Sequence, residues 1–60
     1  MNIVQQIKRM ATPEKLATIE TSTIKFVIGV GDAGNKEQNW GLEAVIDLFK
    51  AELKRRKNSA

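Results

Sequence analysis

A glycine run at residues 29–34 limits what this chain folds into more than any other feature. The run reads Gly-Val-Gly-Asp-Ala-Gly and directly follows an apolar segment at residues 24–28. Its G-x-G-x-x-G spacing is that of dinucleotide-binding loops, in which glycines permit a tight turn and let backbone N–H groups approach a pyrophosphate. Glycine is also common just after the last residue of a helix, where the chain leaves the helical conformation.

The length of the chain argues against a nucleotide-binding domain. The protein has 60 residues, whereas one βαβ unit alone takes about 30 and a doubly wound sheet needs several such units. No second apolar strand follows the glycines, and the position about 20 residues later, where an acidic residue is expected, lies near Glu52 within a helical pattern. We therefore interpret residues 29–34 as the joint between two helices.

The composition excludes several sources of stability and catalysis. The chain contains no cysteine and no histidine, which excludes disulfides, thiolate zinc sites and imidazole acid–base chemistry. A domain of this size buries only about 60% of the surface of its unfolded chain, so self-association is the expected additional source of stability. We predict a non-enzymatic homodimer or higher oligomer with no catalytic residues, no metal and no cofactor.

The organisation of the chain is predicted to be simple. No apolar segment reaches the ~20 residues that span a bilayer, and the basic pair near the N-terminus follows the apolar residues instead of preceding them, unlike a signal peptide. The sequence therefore predicts one small cytoplasmic domain over residues 1–60, with a polar, basic tail at residues 54–60.

Hydrophobic spacing predicts an all-α fold that begins with a short amphipathic helix at residues 2–10. There the apolar side chains recur at i, i+4 and i+7. Thr12 and Pro13 mark the start of a second helix, because threonine caps helices and proline suits the first helical position.

The extent of the second helix depends on which pattern is followed. Over residues 13–30 the apolar side chains fall largely on one face of a helix. Residues 22–30 also alternate like a strand, and residues 21–23 are poor helix formers. Because the helical pattern is longer and a lone strand would have no partner, we predict a helix over 13–30. An α+β fold with a strand at 22–30 is the alternative.

The last helix, predicted near residues 38–57, carries the clearest apolar stripe. Asn35 or Asn39 is expected to cap it. With the helix at 13–30 it forms a predicted helical hairpin, assembled as a small oligomeric bundle. The members of the stripe are Leu42, Val45, Ile46, Phe49 and Leu53.

A second apolar stripe on the last helix supplies the candidate protein-binding site. It consists of Trp40, Ala44, Leu48 and Ala51, and either the helix at residues 2–10 or a second copy of the chain covers it. Trp40 either packs back on the preceding segment or anchors an interface, since tryptophan is enriched at binding hot spots. Our first hypothesis is an accessory or inhibitory module that binds a larger protein through Trp40, Ala44 and Leu48.

Positive charge at the C-terminus supplies a second hypothesis. The net charge is +3, and residues 50–60 contain five basic residues but only one acidic residue. These cations either complement the helix dipole and favour solubility or contact nucleic-acid phosphates in a hairpin dimer. The candidates are Lys50, Lys54, Arg55, Arg56 and Lys57.

The glycine run supplies a third hypothesis, the binding of a phosphorylated small molecule. If the run is a loop before a helix N-terminus, backbone N–H groups of Gly31, Gly34 and Asn35 face a bound anion in the field of the helix dipole. Asp32, in the same run, is expected to be a turn residue that bonds its own backbone.

Overall fold

The computed structural model describes residues 2–59, and these residues form four α-helices and no strand. The helices are α1 (Ile3–Met10), α2 (Pro13–Thr18), α3 (Thr21–Glu37) and α4 (Glu43–Ser59). The predicted all-α class is confirmed. Residues 22–30, for which a strand was the alternative, are helical and belong to α3.

The first two helices begin where their capping residues predict. Asn2 accepts a hydrogen bond from the backbone N–H of Gln5 on its side-chain oxygen at 2.8 Å, which satisfies one of the free donors at the start of α1. Thr12 does the same for Lys15 at 3.3 Å, and Pro13 occupies the first turn of α2.

The predicted helix at residues 13–30 is wrong in its extent, because the chain breaks at Ile19. Ile19 adopts an extended conformation, with φ −75° and ψ 154°. Just before it, the hydroxyl of Thr18 donates to the carbonyl oxygens of Lys15 at 3.1 Å and Glu14 at 3.4 Å. Such bonds compete with the helical ladder, and the β-branched Thr18 and Ile19 lower helix propensity further.

The glycine run is not a joint between helices. Residues 29–34 lie inside α3, which continues to Glu37. The chain reverses instead at residues 38–42, where Asn39 and Gly41 adopt positive φ angles of 54° and 71°. Gly41 suits this conformation because it has no Cβ to clash with the backbone, and Asn is among the side-chain-bearing residues that tolerate it best.

Two of the glycines remain helical because side chains of the following segment fill the space beside them. A Cβ on Gly31 would collide with Ile46, and a Cβ on Gly34 would collide with the ring of Trp40. Glycine weakens a helix by about 1 kcal/mol relative to alanine, and this close packing offsets that cost. Gly29 faces away, with nothing within 4 Å of the position of a Cβ.

The core lies between α3 and α4, which form the main helix pair, with α1 and α2 contributing one fully or largely buried side chain each. The predicted stripe of the last helix is confirmed as core, since its members are buried or half-buried. α4 begins at Glu43, later than the predicted residue 38, and continues to Ser59, so residues 54–59 of the predicted polar, basic tail are helical. The buried apolar residues are Ile7, Leu16, Ile24, Val27, Leu42, Ile46 and Phe49.

Candidate interaction site

Trp40 packs against the helix that precedes it. Its ring packs against Gly34 of α3, and the side chain is half-buried against the core. The expectation that Trp40 packs back on the preceding segment is therefore confirmed. Trp40 also precedes the start of α4 at Glu43, so it does not continue the helical stripe formed by Ala44 and Leu48.

Asn35 holds the start of α4 in place. Its side-chain oxygen accepts a hydrogen bond from the backbone N–H of Leu42 at 2.8 Å. The carbonyl of Leu42 in turn accepts a hydrogen bond from the N–H of Ile46 at 2.8 Å, at the start of α4. Asn35 thus supports the next helix as expected, but it does so from inside α3 and across the interhelical contact.

The remaining members of the second stripe form an uncovered face on α4. Ala44, Leu48 and Ala51 follow one another at i, i+4 and i+7 and are all exposed, with 48% of Leu48 accessible. Neither α1 nor any other part of the described chain covers them. We call this set the α4 face.

A second exposed apolar face lies on α3 and was missed by the sequence analysis. Phe26 is 63% exposed, whereas Phe49, the other phenylalanine, is fully buried. Val30, half-buried, and Ala33, exposed, follow Phe26 at i+4 and i+7. We call Phe26, Val30 and Ala33 the α3 face.

The reason for this omission is the predicted continuous helix at residues 13–30, whose wide apolar arc placed Phe26 in the core. The buried positions of α3 are Ile24, Val27, Gly31 and Gly34, a narrower stripe. A helix that starts at residue 21 would have put Phe26 on the flank of that stripe.

Several of the basic residues proposed for nucleic-acid binding are paired within the protein. Lys50 Nζ lies 3.3 Å from Asp32 Oδ1, so Asp32 is a helical partner of α4 and not a turn residue. Arg55 and Arg56 both bind Glu52, at 2.6 Å and 2.7 Å. Among residues 2–58, only Lys54 and Lys57 of the five candidates lack an ion pair.

Arg56 links α4 to the junction between α2 and α3. Its Nη2 donates to the carbonyl of Leu16 at 2.7 Å, its Nη1 to the hydroxyl of Thr21 at 3.1 Å, and its Nε to Glu52 at 2.7 Å. The guanidinium therefore uses three of its five donors inside the fold, and its contribution to an external phosphate site is reduced accordingly.

The carboxylate of Glu52 is strongly stabilised in its ionised form. Hydrogen bonds from Arg55 and then Arg56 lower its pKa from 4.5 to about 2. The same contact raises the pKa of Arg55. These three residues form a charge network whose net charge is only +1, which further limits the basic character of the C-terminal helix.

The structural basis of the anion hypothesis is absent. Gly31, Gly34 and Asn35 lie within the C-terminal half of α3, the negative end of the helix dipole. The carbonyl of Gly34 accepts from Gln38 at 2.9 Å and Trp40 at 3.4 Å. No free helix N-terminus stands at the glycine run.

An open groove of about 490 Å³ lies between α3 and α4, beside the ion pair of Lys50 with Asp32. Ile46 is its one apolar lining residue, and its polar lining carries both signs of charge. Within the described residues no three acidic side chains converge as metal ligands. The polar lining residues are Asp32, Asn35, Lys36, Glu43, Asp47 and Lys50.

Comparisons with known proteins do not identify a relative. Among the described residues, no helix is long and apolar enough to cross a membrane. The chain matches no known family model, and no curated protein or solved structure is significantly similar to it.

Proposed function

We propose that this chain is a non-enzymatic interaction module that binds a partner protein through the α3 face. The observation that carries the proposal is the exposure of Phe26, at 63%, in a chain that fully buries its other phenylalanine. Aromatic residues are enriched at the centres of protein interfaces and depleted elsewhere on surfaces. We therefore centre the proposed partner contact on Phe26 and not on Trp40, because the ring of Trp40 packs against Gly34.

The geometry of the α3 face suits a groove on a partner. Anchors at i, i+4 and i+7 are the pattern of an amphipathic helix that binds in an apolar groove. Gly29 and Ala33 are exposed beside Phe26, so the phenylalanine protrudes from a low surface. A partner that covers the exposed 63% of Phe26 gains about 1–2 kcal/mol, since fully burying such a side chain is worth about 1.5–3 kcal/mol.

Nucleic-acid binding is less well supported by the contacts of the basic residues. Lys50, Arg55 and Arg56 are paired with carboxylates, which leaves two lysines with no ion pair among residues 2–58. Each phosphate contact adds to the salt dependence of affinity, so a site built on two lysines predicts weak binding.

Photo-crosslinking from position 26 tests the proposal directly. A photoreactive phenylalanine derivative is placed at position 26 in cells that produce the chain, and at exposed Lys15 as the control. We expect a discrete protein adduct from position 26 that is absent from position 15. An adduct with nucleic acid, or no adduct specific to position 26, overturns the proposal.

The partner identified in the adduct is then purified and titrated with matched variants. Phe26→Ser is expected to weaken binding by about tenfold, whereas Leu48→Ser removes exposed apolar surface from α4 and is expected to leave partner binding unchanged. Because both side chains are exposed, both variants are expected to keep the melting temperature of the parent. Unchanged affinity of Phe26→Ser contradicts the proposal.

A further inference from the structure

We propose that the α4 face is the contact surface for a second copy of this chain, which packs its own α4 antiparallel across it. This inference is independent of the partner bound at the α3 face. The α4 face points away from the core stripe of the same helix, since Ile46 and Phe49 are buried while Leu48 is 48% exposed. The fold itself leaves this side of α4 uncovered.

The shape of the α4 face permits close approach of another helix. Leu48 is flanked one turn on either side by Ala44 and Ala51, both exposed. A leucine between two small residues gives a knob with a shallow depression on each side. Helices pack at about 8–10 Å, depending on the side chains at the contact, and this surface favours the shorter distance.

The charges that border the α4 face select the occupant and its direction. Glu43 and Asp47 lie towards the start of α4 and Lys54 towards its end, and their spacing of i, i+4 and i+11 places all three along one border of the face. None of the three forms an ion pair with another residue in 2–58. Their unused charges are therefore available to a partner.

A second α4 in the antiparallel direction complements this border. When two copies cross at Leu48, Glu43 of one copy lies opposite Lys54 of the other, and the two-fold axis repeats the contact. A parallel copy would instead put this border on opposite sides of the contact in the two helices, so that Glu43 of one copy could not meet Lys54 of the other. The helix dipoles also oppose each other favourably in the antiparallel pair.

The exposed area sets the expected strength of the contact. The chain exposes 4217 Å², slightly more than the ~3,900 Å² expected of a folded monomer of its mass. A stable interface takes about 800 Å² from each partner, and three turns of one helix supply less. We therefore expect a weak dimer that forms only at high protein concentration.

Sedimentation equilibrium of the purified chain up to about 2 mM tests the dimer. Leu48→Ser is expected to weaken association by about tenfold, while Phe26→Ser leaves it unchanged. A parent chain that stays monomeric at about 2 mM overturns this inference without affecting partner binding at the α3 face. Loss of association in Phe26→Ser also overturns it, because the second copy would then occupy the α3 face.

Charge exchange tests the pairing of Glu43 with Lys54. Glu43→Lys and Lys54→Glu are each expected to weaken the dimer about threefold or more at low salt, and the double variant is expected to restore it. Both changes oppose the dipole of α4, so improved folding cannot produce the rescue. Lys25→Glu, an equal charge change on α3, is expected to have little effect. Failure of the double variant to recover association contradicts the pairing.

The absence of cysteine allows a direct test of direction. Ala44→Cys and Ala51→Cys chains are mixed and oxidised, and the native chain gives no background disulfide because it contains no cysteine. The antiparallel pair predicts that the mixed disulfide between positions 44 and 51 predominates. Predominant disulfides between two copies of position 44 overturn the antiparallel arrangement.

Discussion

The benzene ring of Trp40 occupies the space that a side chain on Gly34 would need. The backbones of the same two residues are also joined, since the N–H of Trp40 donates a hydrogen bond to the carbonyl of Gly34 at 3.4 Å. The indole thereby joins the last turns of α3 to the segment that leads into α4. This contact explains why a glycine is tolerated in the helix and gives Trp40 a structural role in the hairpin.

Replacing glycines of α3 by alanine is expected to change stability in opposite directions. Gly34→Ala puts a methyl group into the Trp40 ring and is expected to destabilise the protein by about 1–3 kcal/mol through overpacking. Gly29→Ala is the matched control, because it lies in the same helix with open space around it, and it is expected to stabilise the protein by about 0.5–1 kcal/mol.

Urea unfolding measures both glycine variants. Circular dichroism follows the helices, and the fluorescence of Trp40 follows the contact itself, since Trp40 is the only tryptophan of the chain. If Gly34→Ala stabilises the protein as much as Gly29→Ala does, then the ring moves aside at no cost and the contact does not constrain the fold.

The two neighbouring arginines are expected to contribute unequally to stability. Arg56 is only 20% exposed and binds Leu16, Thr21 and Glu52, whereas Arg55 is 59% exposed and its charge contact is with Glu52. Arg56→Ala is expected to lower the free energy of unfolding by about 1–2 kcal/mol, because charged hydrogen bonds between helices are lost. Arg55→Ala is expected to change it little.

Thermal and urea unfolding of these two variants, compared at the same pH and salt, provide the measurement. Equal effects of Arg55→Ala and Arg56→Ala would mean that the bonds from Arg56 to the α2–α3 junction add nothing to stability.

Acidic pH is expected to weaken the contribution of Glu52 to the free energy of unfolding. The folded-state pKa of Glu52 is lowered from 4.5 to about 2 by Arg55 and Arg56, so the unfolded chain takes up the proton first as the pH falls. The contribution is fully present above about pH 4.5 and is lost between 4.5 and 2. The difference in unfolding free energy between the parent and Glu52→Gln should therefore narrow across that range.

Carbon NMR of the Glu52 carboxyl group checks the cause of this shift. We expect its titration midpoint to rise in Arg55→Ala, because the hydrogen bond that lowers this pKa most is removed. A midpoint that stays near 2 in that variant would assign the shift to another source. A constant difference between the parent and Glu52→Gln from pH 5 to 2 would contradict the linkage.

The parts of the fold that could be predicted from the sequence are those determined by neighbouring residues. The caps at Asn2 and Thr12 act on donors three positions away, and the core stripe of α4 repeats within one helix. The glycine run was misinterpreted because its partners are distant: Ile46 lies 15 positions beyond Gly31 and no local pattern shows that it fills the space. Tertiary contact there overrides intrinsic propensity.

The candidate site was predictable in part for the same reason. Ala44 and Leu48 lie on the outer side of an otherwise well-determined helix, so their exposure follows from the core stripe of α4. The wide apolar face predicted over residues 13–30 includes Phe26, because the break at Ile19 was not anticipated. The break is the extended conformation of Ile19, which residue spacing alone does not reveal.

The glycines of α3 also determine how the hairpin can form. Half of the buried positions of α3, Gly31 and Gly34, have no side chain to bury. Most helical stability in proteins comes from tertiary packing of one helix face, and two glycines make the later turns of α3 intrinsically weaker. Ile46 and Trp40 fill the space beside these glycines. We therefore expect the end of α3 and the start of α4 to become ordered together, as one cooperative folding unit.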